Sequence, residues 1–118
     1  RVRPHDTFVR NGNDILCAVP ISFTQAALGA EIQVPTLEGN VSYTIPEGTQ
    51  TGKEFIIRDK GIPEVGNSRR RGNLRFTVVV ETPTKLTREQ KDLLRKLDGS
   101  LEKNNSPKGR SFFDKLFD

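Results

Sequence analysis

Apolar and polar residues alternate along much of the first two thirds of the chain, which is typical of strands that bury one face. The run "ILCAVPI" is one such segment. Its shared face carries Ile15, Cys17, Val19 and Ile21. A second run, "LRFTVVVETP", repeats this spacing with Leu74, Phe76, Val78 and Val80. The two runs predict strands of a β domain, the second of which ends at Thr82-Pro83.

The segment between these runs begins with a short helical turn. In "SFTQAALG" the alternation stops, and Ala26, Ala27 and Leu28 favour a helical conformation. Gly29 is placed to end it. We therefore expect a short helix before the next strand.

A hairpin is predicted to follow this turn, within "AEIQVPTLEGNVSYTI". A two-residue turn at Glu38-Gly39 would bring Val34 opposite Tyr43 and Ile32 opposite Ile45. This register puts apolar side chains against apolar side chains on one face. Farther along, we predict a strand near Phe55 to Arg58, a turn at Lys60-Gly61 and a polar loop in "EVGNSRRRGN".

The pattern becomes helical in "KLTREQKDLLRKLDGSL". Thr87 and Gln90 have the spacing of a capping box, and Gly99 is predicted to end the helix. The apolar stripe of this helix contains Leu93, Leu94, Leu97 and Leu101. The run "EKNNSPKG" predicts a linker, after which Phe112, Phe113, Leu116 and Phe117 recur at helical spacing. A tail of this length does not hold a helix alone, so we expect it to dock on another surface.

Composition narrows the class of protein. The chain has 118 residues, 33% hydrophobic and 29% charged, with a net charge of +4. These values are polar but not typical of a disordered chain, and the charge permits nucleic-acid contact without arguing for it. One cysteine and one histidine cannot supply a disulfide or a four-ligand zinc site. No apolar run reaches the roughly 20 residues of a membrane span. The first residue is Arg1 and there is no Met, so we expect a segment of a longer protein. No signal peptide is visible at this start, so we expect a reducing, cytoplasmic setting.

The candidate chemical motifs are weak. "GTQTGK" has too few residues between its glycines for a phosphate loop, and Glu54 follows the lysine. His5 has no recognisable nucleophile partner. The basic run Arg69–Arg71 is compatible with phosphate or acidic peptide, but a solvated loop is the simpler interpretation. These motifs predict no catalytic or metal site, and therefore no enzyme.

The apolar positions suggest binding instead. Most of them are expected to form the core. A thin sandwich with an incompletely covered face would also leave an apolar trough beside a sheet edge, and such a trough accepts extended peptides.

Several motifs together resemble one family. These are "PISF", "AALG", "VPTLEG", "GTQTGK", "KGIP" and "GNLRF", followed by "KLTREQKDLL". In this combination the chain resembles the second C-terminal domain of bacterial DnaJ co-chaperones over about residues 5 to 98. The end of the chain, "NNSPKGRSFFDKLFD", also resembles a DnaJ terminus.

The resemblance implies a mainly β fold: a small two-sheet β sandwich with a short helix, then a C-terminal dimerisation helix. It divides the chain into residues 1–7 (the end of a preceding domain), residues 8–84 (the β domain) and residues 85–118 (the dimerisation helix and tail). It implies a homodimer that binds unfolded polypeptide clients and helps to deliver them to DnaK, in a heat-shock and stress-response setting. It also implies that no ATPase-stimulating domain lies in this segment, and that zinc belongs only to a cysteine-rich domain elsewhere in the full-length protein, so that no cofactor is expected here.

The resemblance also implies roles for particular residues. In the family, the related sister domain has a peptide groove. The matching positions of this chain are Cys17, Val19, Val34 and Phe76. Thr36 occupies a further groove position that is apolar in the family. From the leucine stripe and the phenylalanine tail we predict a dimer interface built from Leu86, Leu93, Leu94, Leu97 and Leu101, with Phe112, Phe113, Leu116 and Phe117 docking on the partner or on their own domain. Two alternatives remain: a dimer scaffold that binds no client, and, less favoured, a nucleic-acid-binding β module.

Overall fold

The computed structural model of the chain describes the backbone of residues 8–117 and the side chains of residues 8–67 and 69–102. The chain divides into two compact units, Arg1–Pro83 and Thr84–Asp118. The predicted end of a preceding domain, residues 1–7, lies outside the described residues. In chain order the elements are β1 (Val9–Asn11), β2 (Asp14–Ser22), α1 (Phe23–Leu28), β3 (Ala30–Thr36), β4 (Gly39–Ile45), β5 (Glu54–Ile57), β6 (Pro63–Glu64), β7 (Asn67–Arg71), β8 (Leu74–Glu81) and α2 (Arg88–Phe117).

The largest sheet of the first unit has four strands in the order β1-β2-β8-β5. The two strands predicted from the alternating runs, β2 and β8, lie side by side and parallel, with Cys17 beside Phe76 and Val19 beside Val78. The outer strands β1 and β5 are antiparallel to their neighbours. Because residues in register share a face, the buried faces of β2 and β8 coincide.

The β3–β4 hairpin forms the second layer, with a register that differs from the predicted one. Val34 pairs with Val41 and Ile32 with Tyr43, so the turn contains Leu37 and Glu38. The prediction of a turn at Glu38-Gly39 was wrong by one residue at each end. The reason is Thr36, whose Oγ1 accepts from the Glu38 amide at 3.1 Å and donates to the Gly39 carbonyl at 2.6 Å. These bonds close the turn one residue earlier.

Two further predictions in this unit need correction. The segment predicted as a polar loop forms the two-stranded β6–β7 hairpin. The side chains described in this hairpin are exposed or half-buried, so no alternation marks it as a sheet. The turn after β5 falls at Arg58 and Asp59 rather than at Lys60-Gly61, and Asp59 adopts the left-handed φ of 64°. The strand predicted near Phe55 is confirmed as β5.

Close backbone contacts fix the base of the β6–β7 hairpin to the large sheet. The Gly61 amide donates to the Gly72 carbonyl at 2.8 Å, and the Ile62 amide donates to the Asn13 carbonyl at 2.8 Å. A Cβ atom at Gly72 would collide with the backbone of Asn13. Glycine is therefore required here for close approach and not for an unusual φ.

The short helix α1 and the mainly β fold agree with prediction. Ser22 caps α1 in a capping box with Gln25, and Gly29 follows the helix with φ 78°. The core lies between the large sheet and the β3–β4 hairpin. Its buried apolar residues are Ile15, Cys17, Val19, Ile21, Ala26, Ile32, Val34, Ile45, Phe55, Leu74, Phe76 and Val78.

The second unit consists of α2 and the residues that lead into it. The predicted capping box is confirmed, because the Gln90 amide donates to Thr87 Oγ1 at 3.1 Å and the Thr87 amide donates to Gln90 Oε1 at 2.8 Å. The predictions that Gly99 ends the helix and that a linker follows were wrong, because α2 continues to Phe117. Gly99 has no positive φ, so its backbone fits a helix interior.

Candidate functional site

The four predicted groove positions lie together in the core of the first unit. Cys17, Val19, Val34 and Phe76 are each at most 7% exposed. The alternation that marks a groove position also marks a core position, and here Val34 of the β3–β4 hairpin and the other three residues, from the large sheet, are buried between the two layers. They present no open trough in this structure, so any contact with a client requires the β3–β4 hairpin to move away from the sheet. Their role in client contact stays a prediction.

Three aromatic rings close the interior where the two layers meet. Tyr43 of β4 lies 5.3 Å from Phe55 and 5.2 Å from Phe76, measured between ring centroids. Phe55 and Phe76 stack at 5.4 Å. Edge-to-face and offset contacts of this kind add to the stability that burial provides. Tyr43 is only half-buried, so the cluster reaches the surface along β4 and β5.

The single thiol is not a reactive site. Burial raises the pKa of the Cys17 thiol to about 11. The thiolate is the nucleophilic form, and at neutral pH it is almost absent from such a group. Cys17 therefore acts as a small apolar core residue, in agreement with the prediction from its neighbours.

The outer face of the large sheet carries apolar side chains that sequence reasoning missed. Val9, Ile56 and Val79 are exposed there. The signal was present in the sequence, since "ILCAVPI" and "TVVV" are continuous apolar runs and not strict alternations. Apolar residues in the second phase of such runs fall on the opposite face of the sheet.

An arginine on this outer face forms ion pairs with two neighbouring carboxylates. Arg75 Nη1 lies 3.7 Å from Asp14 Oδ2, and Arg75 Nε lies 3.5 Å from Glu54 Oε2. The second contact is an ion pair but not a hydrogen bond, because Arg75 Nε is buried without a hydrogen-bond partner among the described residues. One guanidinium thus forms ion pairs with both carboxylates.

The three arginines of the basic run differ in their contacts. Arg71 donates from Nε and Nη2 to the Gly61 carbonyl, at 3.1 and 2.9 Å, and its Nη1 lies 3.1 Å from Glu38 Oε2. Arg69 and Arg70 are exposed. Arg71 therefore ties the β6–β7 hairpin to the β3–β4 turn, which leaves two arginines rather than three for any anionic ligand.

The glycine-rich loop "GTQTGK" bonds to the protein itself. The Gly48 and Thr49 amides donate to carbonyls of α1, and the Gly52 amide donates to the Val78 carbonyl at 2.8 Å. Thr49 Oγ1 donates to the Pro46 carbonyl at 2.6 Å. A phosphate loop needs such amides to point at the ligand, whereas here they support the fold.

The described part of α2 exposes its apolar stripe. Leu93 is 59% exposed and Leu97 is 41% exposed, although both are large apolar residues. Leu86 and Leu94 are half-buried, and Leu101 is exposed. The side chains of Phe112, Phe113, Leu116 and Phe117 lie outside the described residues.

Within the described part of the chain, no group of three or more His, Cys, Asp or Glu side chains is arranged to hold a metal ion. A membrane-spanning helix is likewise not found among those residues.

Comparisons with known proteins give a consistent assignment. The family model "DnaJ C terminal domain" matches residues 1–83, and the model "Chaperone protein DnaJ C-terminal region" matches residues 89–116. The chain is also 50% identical over 119 residues to "Chaperone protein DnaJ" of Ruminiclostridium cellulolyticum. That alignment covers 100% of this chain and 31% of the relative.

Proposed function

This chain belongs to the DnaJ C-terminal domain family, and from that premise we propose that it is the non-catalytic, client-binding and dimerising part of a co-chaperone. It binds unfolded or misfolded polypeptide through the β unit and pairs with a second copy through α2. The full-length protein then helps to deliver clients to DnaK in the cytoplasm. No cofactor takes part in this segment.

The observation that carries dimerisation is the exposed stripe of α2. Leu93 and Leu97 are one helical turn apart and are both more than 40% exposed, so they present an apolar strip on one side of the helix. Burying a leucine side chain contributes about 1.5–3 kcal/mol. A second copy of the same helix supplies an apolar surface of the same kind. The predicted interface also contains Leu86, Leu94, Leu101, Phe112, Phe113, Leu116 and Phe117.

Sedimentation equilibrium tests this pairing. The double variant Leu93→Asp/Leu97→Asp is expected to be monomeric, because carboxylates in an apolar interface are strongly unfavourable. The control is Leu28→Asp, which changes an exposed leucine on α1 and is expected to leave the dimer intact. A truncation after Pro83 that stayed dimeric would rule out α2 as the interface.

Client contact is supported by the family and by the apolar side chains at the surface of the β unit. The predicted groove positions Cys17, Val19, Val34 and Phe76 are reached only if the β3–β4 hairpin separates from the large sheet. Contact with two or three client side chains would contribute about 1.5–3 kcal/mol each before ordering costs. Such binding is weak at one site and is strengthened when two subunits hold one client.

An amide-resolved NMR titration with a permanently unfolded polypeptide tests client contact. Shifts at Val19, Val34 and Phe76 would support the predicted groove. The burial of these residues favours one alternative, a dimer scaffold that binds no client. That alternative predicts no shifts anywhere in the β unit while the chain remains dimeric.

A further inference from the structure

We propose that the free edge of β5 is a strand-addition site for an extended, acid-flanked apolar polypeptide segment. This inference rests on the proposed function and deepens it, because it names the place and the chemistry of client contact. The site lies on the side of β5 that faces away from β8, where the nearest predicted groove position, Phe76, is buried, and it needs no opening of the core.

The backbone at this edge has hydrogen-bonding groups that face away from the sheet. β5 is the last strand of the sheet, with only β8 beside it among the described residues. The Val78 amide donates to the Lys53 carbonyl at 3.0 Å, which fixes the phase of the antiparallel ladder. Since ladder bonds alternate along a strand, the N–H and C=O groups of Glu54 and Ile56 face away from β8. They form a short template for another strand.

An added strand would meet apolar side chains on both faces of the sheet. On its inner side it would lie beside Phe55 and half-buried Ile57, with half-buried Tyr43 above Phe55 at 5.3 Å between centroids. On its outer side it would meet Ile56, which is 49% exposed. Strand addition draws affinity from main-chain bonds and specificity from alternate side chains. Both faces therefore favour apolar side chains in the added segment.

A cationic side chain lies at each end of β5. Lys53 precedes the strand and Arg58 follows it, and both are exposed without an ion pair among the described residues. The Lys53 Nζ also lies 6.0 Å from the centroid of the Phe55 ring. The carboxylate of Glu54 is already paired with Arg75, which leaves Asp59 as the one unpaired acid in this stretch. The ends of the edge thus favour acidic residues on either side of the apolar segment.

Flanking cations can also protect an edge from pairing. The two interpretations differ in outcome. Protection predicts that reversing Lys53 and Arg58 to acids leaves the edge unoccupied by short peptides. A binding site predicts that the reversal changes which peptide binds.

A peptide titration by calorimetry on the full chain tests the site. The probe is a synthetic peptide with a core of alternating valine and threonine and aspartates at both ends. Ile56→Pro removes an amide that faces away from β8, so the β5–β8 ladder is kept. We expect affinity for the probe to fall about fivefold or more, the equivalent of one lost hydrogen bond and a local distortion.

Two controls accompany this variant. Ile56→Ala keeps the outward amide, so it is expected to weaken binding less than Ile56→Pro does. In β1 the Arg10 amide faces away from β2 by the same ladder argument, since the Ile15 amide donates to Asn73 on the β8 side at 2.9 Å. Arg10→Pro therefore removes an outward amide from the opposite edge and is expected to leave probe affinity unchanged.

Charge reversal supplies an independent test if Ile56→Pro does not fold. Lys53→Glu/Arg58→Glu is expected to weaken binding of the aspartate-ended probe about tenfold and to favour the same core with lysine ends. Equal binding of the aspartate-ended probe by the wild-type chain, by Ile56→Pro and by Lys53→Glu/Arg58→Glu would overturn the edge site. A wild-type chain that binds neither the probe nor an unfolded polypeptide would instead contradict client contact in the proposed function.

Discussion

The alternating apolar residues of β2 and β8 and the apolar stripe of the described part of α2 differ in burial. Leu74 of β8 is fully buried, whereas Leu97 of α2 is 41% exposed. In the β unit the apolar residues that alternate along β2 and β8 meet a second layer and are covered. On α2 the apolar stripe remains at the surface of its unit. The comparison teaches that the same kind of apolar spacing builds a core where a second layer covers it and leaves an exposed stripe where no such layer lies over it within the unit.

The largest expected effect comes from making the same substitution in both regions. Leu74→Ala should lower the free energy of unfolding of the β unit by about 2–5 kcal/mol, because it leaves a cavity in a closed core. Leu97→Ala should change that free energy by less than about 0.5 kcal/mol, while weakening the dimer. Chemical denaturation at fixed protein concentration measures the first quantity. Equal losses in the two variants would contradict the distinction between the regions.

Two glycines give a second matched pair. Gly72→Ala should destabilise the β unit by about 1–3 kcal/mol or more, because its Cβ would collide with Asn13. A Cβ at Gly99 meets no atom within 4 Å, so Gly99→Ala should stabilise α2 by about 0.5–1 kcal/mol. Thermal unfolding followed by circular dichroism reports both. Destabilisation by Gly99→Ala would indicate that this face of α2 is tightly covered.

Cys17 makes the β unit sensitive to alkaline pH in a way that α2 is not. The thiol has a raised pKa of about 11 in the folded chain and ionises from about pH 9 in the unfolded chain. The contribution of Cys17 to the free energy of unfolding is therefore fully present below about pH 9. It falls by on the order of 1–2 kcal/mol as pH rises toward 11. Unfolding free energies of the wild type and Cys17→Ala, measured across this window, isolate the effect. Parallel pH profiles for the two proteins would disprove it.

The smallest expected effect is at the start of α2. Thr87→Ala removes the hydroxyl that accepts from the Gln90 amide and should cost about 1 kcal/mol of helix stability. Helical circular dichroism should fall slightly, with no change in the near-ultraviolet signal of Tyr43 in the β unit. A loss of the Tyr43 signal would show that the cap also supports the β unit.

Sequence reasoning succeeded where one local pattern has one physical meaning. The alternation around Val19 and Phe76 identified β2 and β8, and the spacing of Thr87 and Gln90 identified a cap. It failed where a side-chain hydrogen bond or the local backbone conformation departs from the usual sequence pattern. Thr36 closes its turn with a hydroxyl, and the register shifts accordingly. Gly99 was expected to stop a helix that its backbone is free to continue.

The candidate site was harder to predict for a different reason. A buried residue in a groove and a buried residue in a core have the same spacing in the sequence. Only the packing of the β3–β4 hairpin, which carries Val34, against the sheet that carries Phe76 shows that these residues are covered. The free edge of β5 is invisible to sequence patterns, because strand order depends on contacts between distant segments.

In the proposed function the β unit contacts the client and α2 joins two such units. The most direct measurement compares the wild-type chain with the monomeric Leu93→Asp/Leu97→Asp variant, using a short apolar peptide and a long unfolded polypeptide as ligands. We predict equal affinity for the short peptide and an affinity for the long polypeptide that is lower in the variant by about a hundredfold, because two linked sites are lost. Loss of short-peptide binding in the variant, or equal affinity of both proteins for the long polypeptide, would contradict this division of roles.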